Sequence, residues 1–334
     1  GMNMTVHLKK KRAKSTYTVI DEFKKKMSNI SDAAITVKLY ADSGGMRSGG
    51  AVSINLVSTD KGSRQRLLTA KNPLEGIAVG TTEFVTLKAE DGTPLYGKLH
   101  KPKTFDPNKK YPVLIYVYGG PHAQQVKNEW LADTYLWLHA FVENEQYIVF
   151  TLDNRGSENR GFAFESVIHR RLGEIEVKDQ LKGVDYLKSL PYVDGNRISV
   201  HGWSFGGFMA SSLLTRHPEI FRTAVAGGAV TDWKYYEVMY GERYMDTPQE
   251  NPEGYENSRV GKYLTNLKRP LLFIHGSVDD VVVPQHLMSI TRESIKKNDF
   301  IELFIYPMHA HGVRGTDHIN LTERIIDYVK KHNQ

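Results

Sequence analysis

The stretch HGWSFGGF, residues 201–208, sets Ser204 between Gly202 and Gly206 in the pattern Gly-x-Ser-x-Gly. In a chain with 28 glycines among 334 residues, chance alone produces such a pattern often enough that its surroundings must decide its meaning. The apolar run RISVHG (197–202) leads directly into Ser204, and a segment of helical character follows it as far as His217–Pro218. A strand, a glycine-flanked turn and a helix together would lift the serine hydroxyl above a sheet at a helix N-terminus, the geometry of a nucleophile elbow. The alternative is a packing turn with an idle serine.

Working outward from Ser204, continuous apolar runs suited to strands buried on both faces alternate with helical periodicity from Pro112 onward. The runs are PVLIYVY (112–118), YIVFTLD (147–153), TAVAGG (223–228), PLLFIHG (270–276) and IELFIYP (301–307), besides the one before Ser204. Val177, Leu181, Val184 and Leu187 recur at helical spacing and predict a helix ending before Pro191, and TERIIDYVKKH predicts a last helix. This alternation predicts an α/β fold with a mostly parallel central sheet covered on both sides. Residues 33–100 follow another grammar: AITVKLYA, AVSINLVS, a turn at Asp60-Lys61-Gly62 and RQRLLT read as antiparallel β, and EFVTLKAEDGTPLYGKLH reads as a hairpin about Asp91-Gly92.

Composition excludes several classes. No run of about 18 apolar residues exists, so no membrane span is expected, and the first thirty residues lack the apolar core of a signal peptide. With no cysteine, disulfides, thiolate metal sites and a cysteine nucleophile are ruled out. Of the net charge of +6, five charges come from Lys9, Lys10, Lys11, Arg12 and Lys14, a run that reads as a solvated tail and not as a nucleic-acid arm.

A serine becomes a nucleophile when a base takes its proton and a third group orients that base. In sheets of this type the partners follow in the order Ser, Asp, His, each in a loop after a later strand. Asp279 follows PLLFIHG and His311 follows IELFIYP. Asp280, His309 and His275 are competitors, and His309, His311 and His318 could be read as metal ligands, although no carboxylate or helical spacing completes such a set.

From about Tyr111 to the C-terminus the chain resembles the catalytic domain of the prolyl oligopeptidase clan, in its dipeptidyl peptidase IV branch, an α/β-hydrolase fold. The matching segments are YPVLIYVYGGP, DNRGS, HRRLGEIEVKDQ, GWSFGG, WKYYEVMYGERYM, HGSVDD and HAHG, in the family's order. The resemblance implies Ser204 as nucleophile, Asp279 as orienting acid and His311 as base, with the backbone N–H of Phe205 and the hydroxyl of Tyr118 as oxyanion donors. It also implies that Phe205, Val230, Trp233, Tyr236, Tyr240 and Val282 box the residue before the cleaved bond, where a flat proline ring stacks well. From the residues alone, WKYYEVMY is equally a helix with core aromatics.

Two departures from the family pattern matter. Val281 stands where dipeptidyl members carry an asparagine that binds substrate backbone, and Glu237 stands where prolyl tripeptidyl aminopeptidases hold the substrate's amine with a glutamate. Glu237 could instead be the exposed face of a helix. Family members also carry a large N-terminal β-propeller; the expected organisation here is a basic tail and linker (1–32), a propeller remnant (33–80) and a hydrolase domain (81–334). The expected activity is a serine exopeptidase releasing N-terminal di- or tripeptides by cleavage after proline, with no metal or organic cofactor. Its partners would be peptides with proline near a free N-terminus, and the resemblance implies homodimerisation through the hydrolase domain and periplasmic or secreted relatives. The rival expectations are a broader acylaminoacyl peptidase or esterase, and a fragment without peptidase activity that serves as an interaction domain.

Overall fold

The computed structural model describes residues 2–7, 25, 33–40, 51–58 and 74–334. The chain divides into two compact units, Gly1–Glu75 and Gly76–Gln334. In the first unit, β1 (Met2–His7) and β2 (Ala33–Tyr40) pair antiparallel with the two edges of β3 (Ala51–Ser58). β1 falls in the stretch read from the sequence as tail. The basic run at 9–14, the turn at Asp60-Lys61-Gly62 and the RQRLLT segment lie outside the described residues.

The second unit opens with the hairpin of β4 (Thr81–Lys88) and β5 (Pro94–Lys101). Its turn is closed by Ala89 N–H to Thr93 O at 2.8 Å and by Thr93 N–H to Asp91 Oδ1 at 2.9 Å, with Gly92 at φ +85°, as the Asp-Gly pair predicts. There follow β6 (Tyr111–Tyr116), α1 (Leu136–Glu145), β7 (Ile148–Asp153), α2 (Ile175–Ser189), β8 (Val193–Trp203) and α3 (Phe205–Arg216). The chain closes with β9 (Thr223–Gly227), α4 (Val238–Met245), β10 (Leu271–Gly276), α5 (Gln285–Lys297), β11 (Glu302–Tyr306) and α6 (Asp317–His332).

The eight strands of this unit form one sheet in the order β11-β10-β9-β8-β6-β7-β5-β4. β5 is antiparallel to both neighbours, and the pairings from β7 through β11 are all parallel. β6, β7 and β10 are buried at every position, which is why their sequences read as unbroken apolar runs. β11 departs from that expectation. Among the described residues it is an edge strand, hydrogen-bonded only to β10, with Leu303 and Ile305 substantially exposed.

Successive side chains alternate between two cores. Val113, Ile115, Phe150 and Val200 pack on the face covered by α2, α3 and α5, while Leu114, Val149, Val225 and Ile274 pack on the face covered by α1 and α6. Two helix-covered faces on a mostly parallel sheet with this strand order make the α/β-hydrolase fold.

Candidate active site

β8 and α3 meet at Ser204, whose backbone sits at φ 62°, ψ −120°. This left-handed conformation is costly for a residue with a side chain. It is held by Ser204 N–H to Gly227 O at 2.8 Å and by Phe208 N–H to Ser204 O at 3.0 Å. The flanking glycines are required by space. A Cβ on Gly202 would stand 2.3 Å from Val117 O, and one on Gly206 would stand 2.2 Å from the same oxygen. The sequence motif is thus the only local solution that lets the β8–α3 turn lie against the end of β6.

Asp279 lies in the loop after β10 and is 2% exposed. Its Oδ1 accepts from the amides of Val281 and Val282 at 3.0 and 2.9 Å, and its Oδ2 faces His311 Nδ1 at 2.9 Å. Burial alone would raise its pKa, but the hydrogen bond and charge of His311 and the two amides outweigh burial and hold it below the ordinary carboxylate value. His311, after β11, is fixed from behind by Trp203 Nε1, which donates to its carbonyl at 2.7 Å. The side chains of Asp279 and His311 are therefore brought together, and Trp203, the residue before Ser204, ties the His311 backbone to this turn. The Ser204 hydroxyl itself makes no hydrogen bond among the described residues.

The competitors occupy other places. Asp280 is exposed. His309 pairs through Nε2 with Asp317 at 2.8 Å, on the α6 side of the loop. His275 lies buried behind Asp279, its Nε2 on Val282 O at 2.7 Å, and burial lowers its pKa. His318 is exposed, and among the described residues no group of three His, Cys, Asp or Glu could hold a metal ion.

Tyr118 stands just beyond β6, its ring 6.2 Å from that of Phe205. Burial, then the neighbouring Tyr135 and Tyr244, raise the pKa of its hydroxyl and keep it a proton donor. The loop it begins is pinned by residues to which the sequence alone assigned no role. Asn154 Nδ2 donates to Gly119 O at 2.9 Å, and its Oδ1 accepts from Gln180 Nε2 at 2.9 Å. Asp153 accepts from the amides of Gln125 and Val126 at 2.8 and 2.9 Å. Arg155 forks onto buried Asp179, with Nε and Nη2 at 2.9 and 2.7 Å, and reaches Asp91 of the hairpin turn at 2.6 Å. The matching DNRGS and HRRLGEIEVKDQ segments were the available signal, but only the fold shows that Asp153, Asn154 and Gln180 from them brace this loop.

Trp233 anchors an aromatic cluster beside Ser204. Its ring stacks with Tyr240 at 5.9 Å and 10°, meets Tyr236 edge-on at 5.4 Å, and lies 5.5 Å from Phe205. Val230 and Val282 are buried in the same core. Burial, then the charges of Tyr118, Glu237 and Asp279, push the Tyr236 hydroxyl up to about 12, and burial, then Tyr118, raises that of Tyr240. Glu237, the residue before α4, is exposed with no side-chain cap bond. Val281 is exposed beside the buried Asp279.

A strand–turn–helix serine, a buried Asp–His pair on later loops and an α/β-hydrolase sheet define the class of serine hydrolases. A model of the prolyl oligopeptidase family matches residues 133–334, and the chain belongs to that family. Dipeptidyl peptidase 8 of Mus musculus is 36% identical over 237 residues, which are 70% of this chain and 26% of that protein, so the chain spans about a quarter of this relative. A Bacteroides ovatus protein assigned to dipeptidyl aminopeptidase IV has a crystal structure similar at TM-score 0.81 and 47% identity, over 90% of this chain and 43% of that one. The crystal structure of Porphyromonas gingivalis dipeptidyl peptidase 4 gives TM-score 0.76 and 28% identity over the same shares.

Proposed function

We propose that the chain is the catalytic part of a serine exopeptidase that cleaves after proline near a free N-terminus. The observation that carries this reading is the His311–Asp279 pair at 2.9 Å, anchored beside the Ser204 turn through Trp203. In the proposed cycle, Asp279 holds the proton on His311 Nδ1 and leaves Nε2 free as base. Ser204 Oγ attacks the scissile carbonyl carbon as Nε2 takes its proton. The oxyanion so formed accepts from Phe205 N–H and Tyr118 O–H. Nε2 then gives the proton to the departing amine as the C–N bond breaks, leaving an acyl-enzyme on Ser204. Water, deprotonated by the same nitrogen, releases the acid and restores the hydroxyl.

Selectivity for proline is attributed to the cluster of Phe205, Val230, Trp233, Tyr236, Tyr240 and Val282, whose ring faces suit a flat apolar ring and offer no partner to a charge. Glu237 is proposed as the acceptor for the substrate's ammonium group, and Val281, which cannot replace an amide's hydrogen bonds, inclines the reading toward tripeptide release. Residues 81–334 are proposed as the hydrolase domain, residues 33–80 as the end of a propeller, and the hydrolase domain as the site of a homodimer contact.

The test is chromophore release from free-amine Ala-Ala-Pro-p-nitroanilide beside its N-blocked form and Gly-Pro-p-nitroanilide, with Ser204→Ala as control. Preferred cleavage of the free tripeptide, lost in Ser204→Ala, supports the whole reading. Equal cleavage of free and blocked forms removes Glu237 from it, and preferred cleavage of Gly-Pro-p-nitroanilide replaces tripeptide release by dipeptide release. Absence of Ser204-dependent cleavage of any of the three overturns peptidase activity in this chain.

A further inference from the structure

Ser204 stands where the two faces of the sheet divide. Phe205, Val230 and Trp233, which lead into the aromatic cluster, belong to the core on one face, while Trp203 and Tyr116 belong to the core on the other. His311 is tied to this second face through Trp203. With the acyl part of a substrate in the aromatic cluster, the amine that takes its proton from His311 departs over the second face.

That face carries a built feature which the mechanism does not use. Leu131, Ala132 and Asp133 are three consecutive residues in left-handed backbone, at φ 53°, 51° and 51°. The turn is clamped from below: buried Lys98 donates to Ala132 O at 2.7 Å, and Lys127 donates to Asp133 Oδ2 at 2.7 Å. Strain of this kind persists where the surroundings over-determine it, and it gathers at segments that contact ligands. Tyr135 follows after the extended Thr134, immediately before α1. Its ring and that of Tyr116 form a T-shaped pair at 5.7 Å and 72°, yet it remains 46% exposed, with Trp130 at 62% and Leu136 at 53% in the same segment. Tyr116, which holds this ring, is the last residue of β6 and stands two residues before Tyr118, so this surface lies at the end of the strand that leads to the oxyanion side of the site.

We propose that Tyr135, flanked by Trp130 and Leu136, is the platform for the residues on the leaving side of the scissile bond and selects aromatic or large apolar side chains there. The proposal rests on the peptidase reading of Ser204. A tyrosine held by one ring contact supplies contact area at low entropic cost, and nearly half of Tyr135 stays open to a second ring.

The test compares kcat/KM for two peptides with the acyl part preferred above, one continuing Phe-Phe and the other Gly-Gly after the scissile proline. The native protein is expected to favour the Phe-Phe peptide by about fivefold or more, Tyr135→Ala to bring the ratio within about twofold of one, and Tyr135→Phe, which keeps the ring, to retain the preference. A preference unchanged in Tyr135→Ala, no preference in the native protein, or equal slowing of both peptides would each overturn the platform. Binding of the same peptides to Ser204→Ala and to Ser204→Ala/Tyr135→Ala, measured by calorimetry, separates the two readings. Tighter binding of the Phe-Phe peptide that depends on Tyr135, without hydrolysis by the native protein, upholds the platform and removes the peptidase activity. Equal binding of the two peptides removes the platform.

Discussion

At the scale of single residues, each proposed reacting group is placed by something other than its own side chain. Ser204 is raised by its backbone angle, His311 is held by Asp279 in front and Trp203 behind, and burial raises the pKa of the Tyr118 hydroxyl further above its ordinary value. Tyr118→Phe leaves the ring packing on Phe205 and removes one donor to the oxyanion, so kcat is expected to fall about 10²- to 10³-fold, with KM little changed, in steady-state assays. The places of Ser204, Asp279 and His311, each in a turn or loop after a strand, were legible from the sequence because their chain order follows the strands. The family resemblance favours Asp279 over Asp280, and the two differ in the fold: the first accepts two amide bonds and faces a histidine, whereas the second is exposed. Tyr135 was not legible, since a tyrosine between a left-handed turn and an apolar helix has no marker in residue spacing.

At the scale of elements, the loop after β6 and the turn after β8 hold each other in place. Gly202→Ala would drive a Cβ against Val117 O and is expected to lower stability by about 1–3 kcal/mol, read from the midpoint of urea unfolding, with loss of hydrolysis. Arg155 joins the end of β7 to α2 and to the hairpin turn. Arg155→Met leaves the carboxylate of Asp179, 1% exposed, without its ion partner, and is expected to cost about 3–5 kcal/mol in the same measurement. Arg155→Met/Asp179→Leu should recover much of that loss. The fully buried strands were readable as apolar runs, and α2, α3 and α6 as periodic or punctuated segments. α1 was not, because LWLHAFVENE mixes apolar and polar residues and buries even His139. The Arg155–Asp179 fork joins residues 24 apart, and its existence depends on topology, which spacing does not encode.

At the scale of the whole molecule, the order of strands and helices was legible, while the ionisation of its interior was not. Glu176, beside Val177 on α2, is wholly buried, with Oε2 on Gly173 N–H at 2.9 Å and Oε1 unpartnered. Burial pushes its carboxyl from 4.5 up to about 8. Between those values the folded state holds a proton that the unfolded chain has released. The contribution is therefore whole below the unfolded pKa and is lost as pH rises toward about 8, at about 1.4 kcal/mol per pH unit. Glu176→Gln is expected to flatten this dependence, so its melting temperature should gain on the native protein more at pH 8 than at pH 5. An equal difference at both pH values would show that the carboxyl is already ionised.

The position of β11 at the rim of the sheet has a consequence in time. Ser204 rides on β8, bonded on both sides, whereas His311 follows a strand held by one neighbour only. Edge strands open at lower free energy than central ones, so on warming the chain should lose the arm that bears His311 while β8 is still closed. Inactivation would then run ahead of melting, and a sample cooled before the centre gives way would regain its function without having refolded.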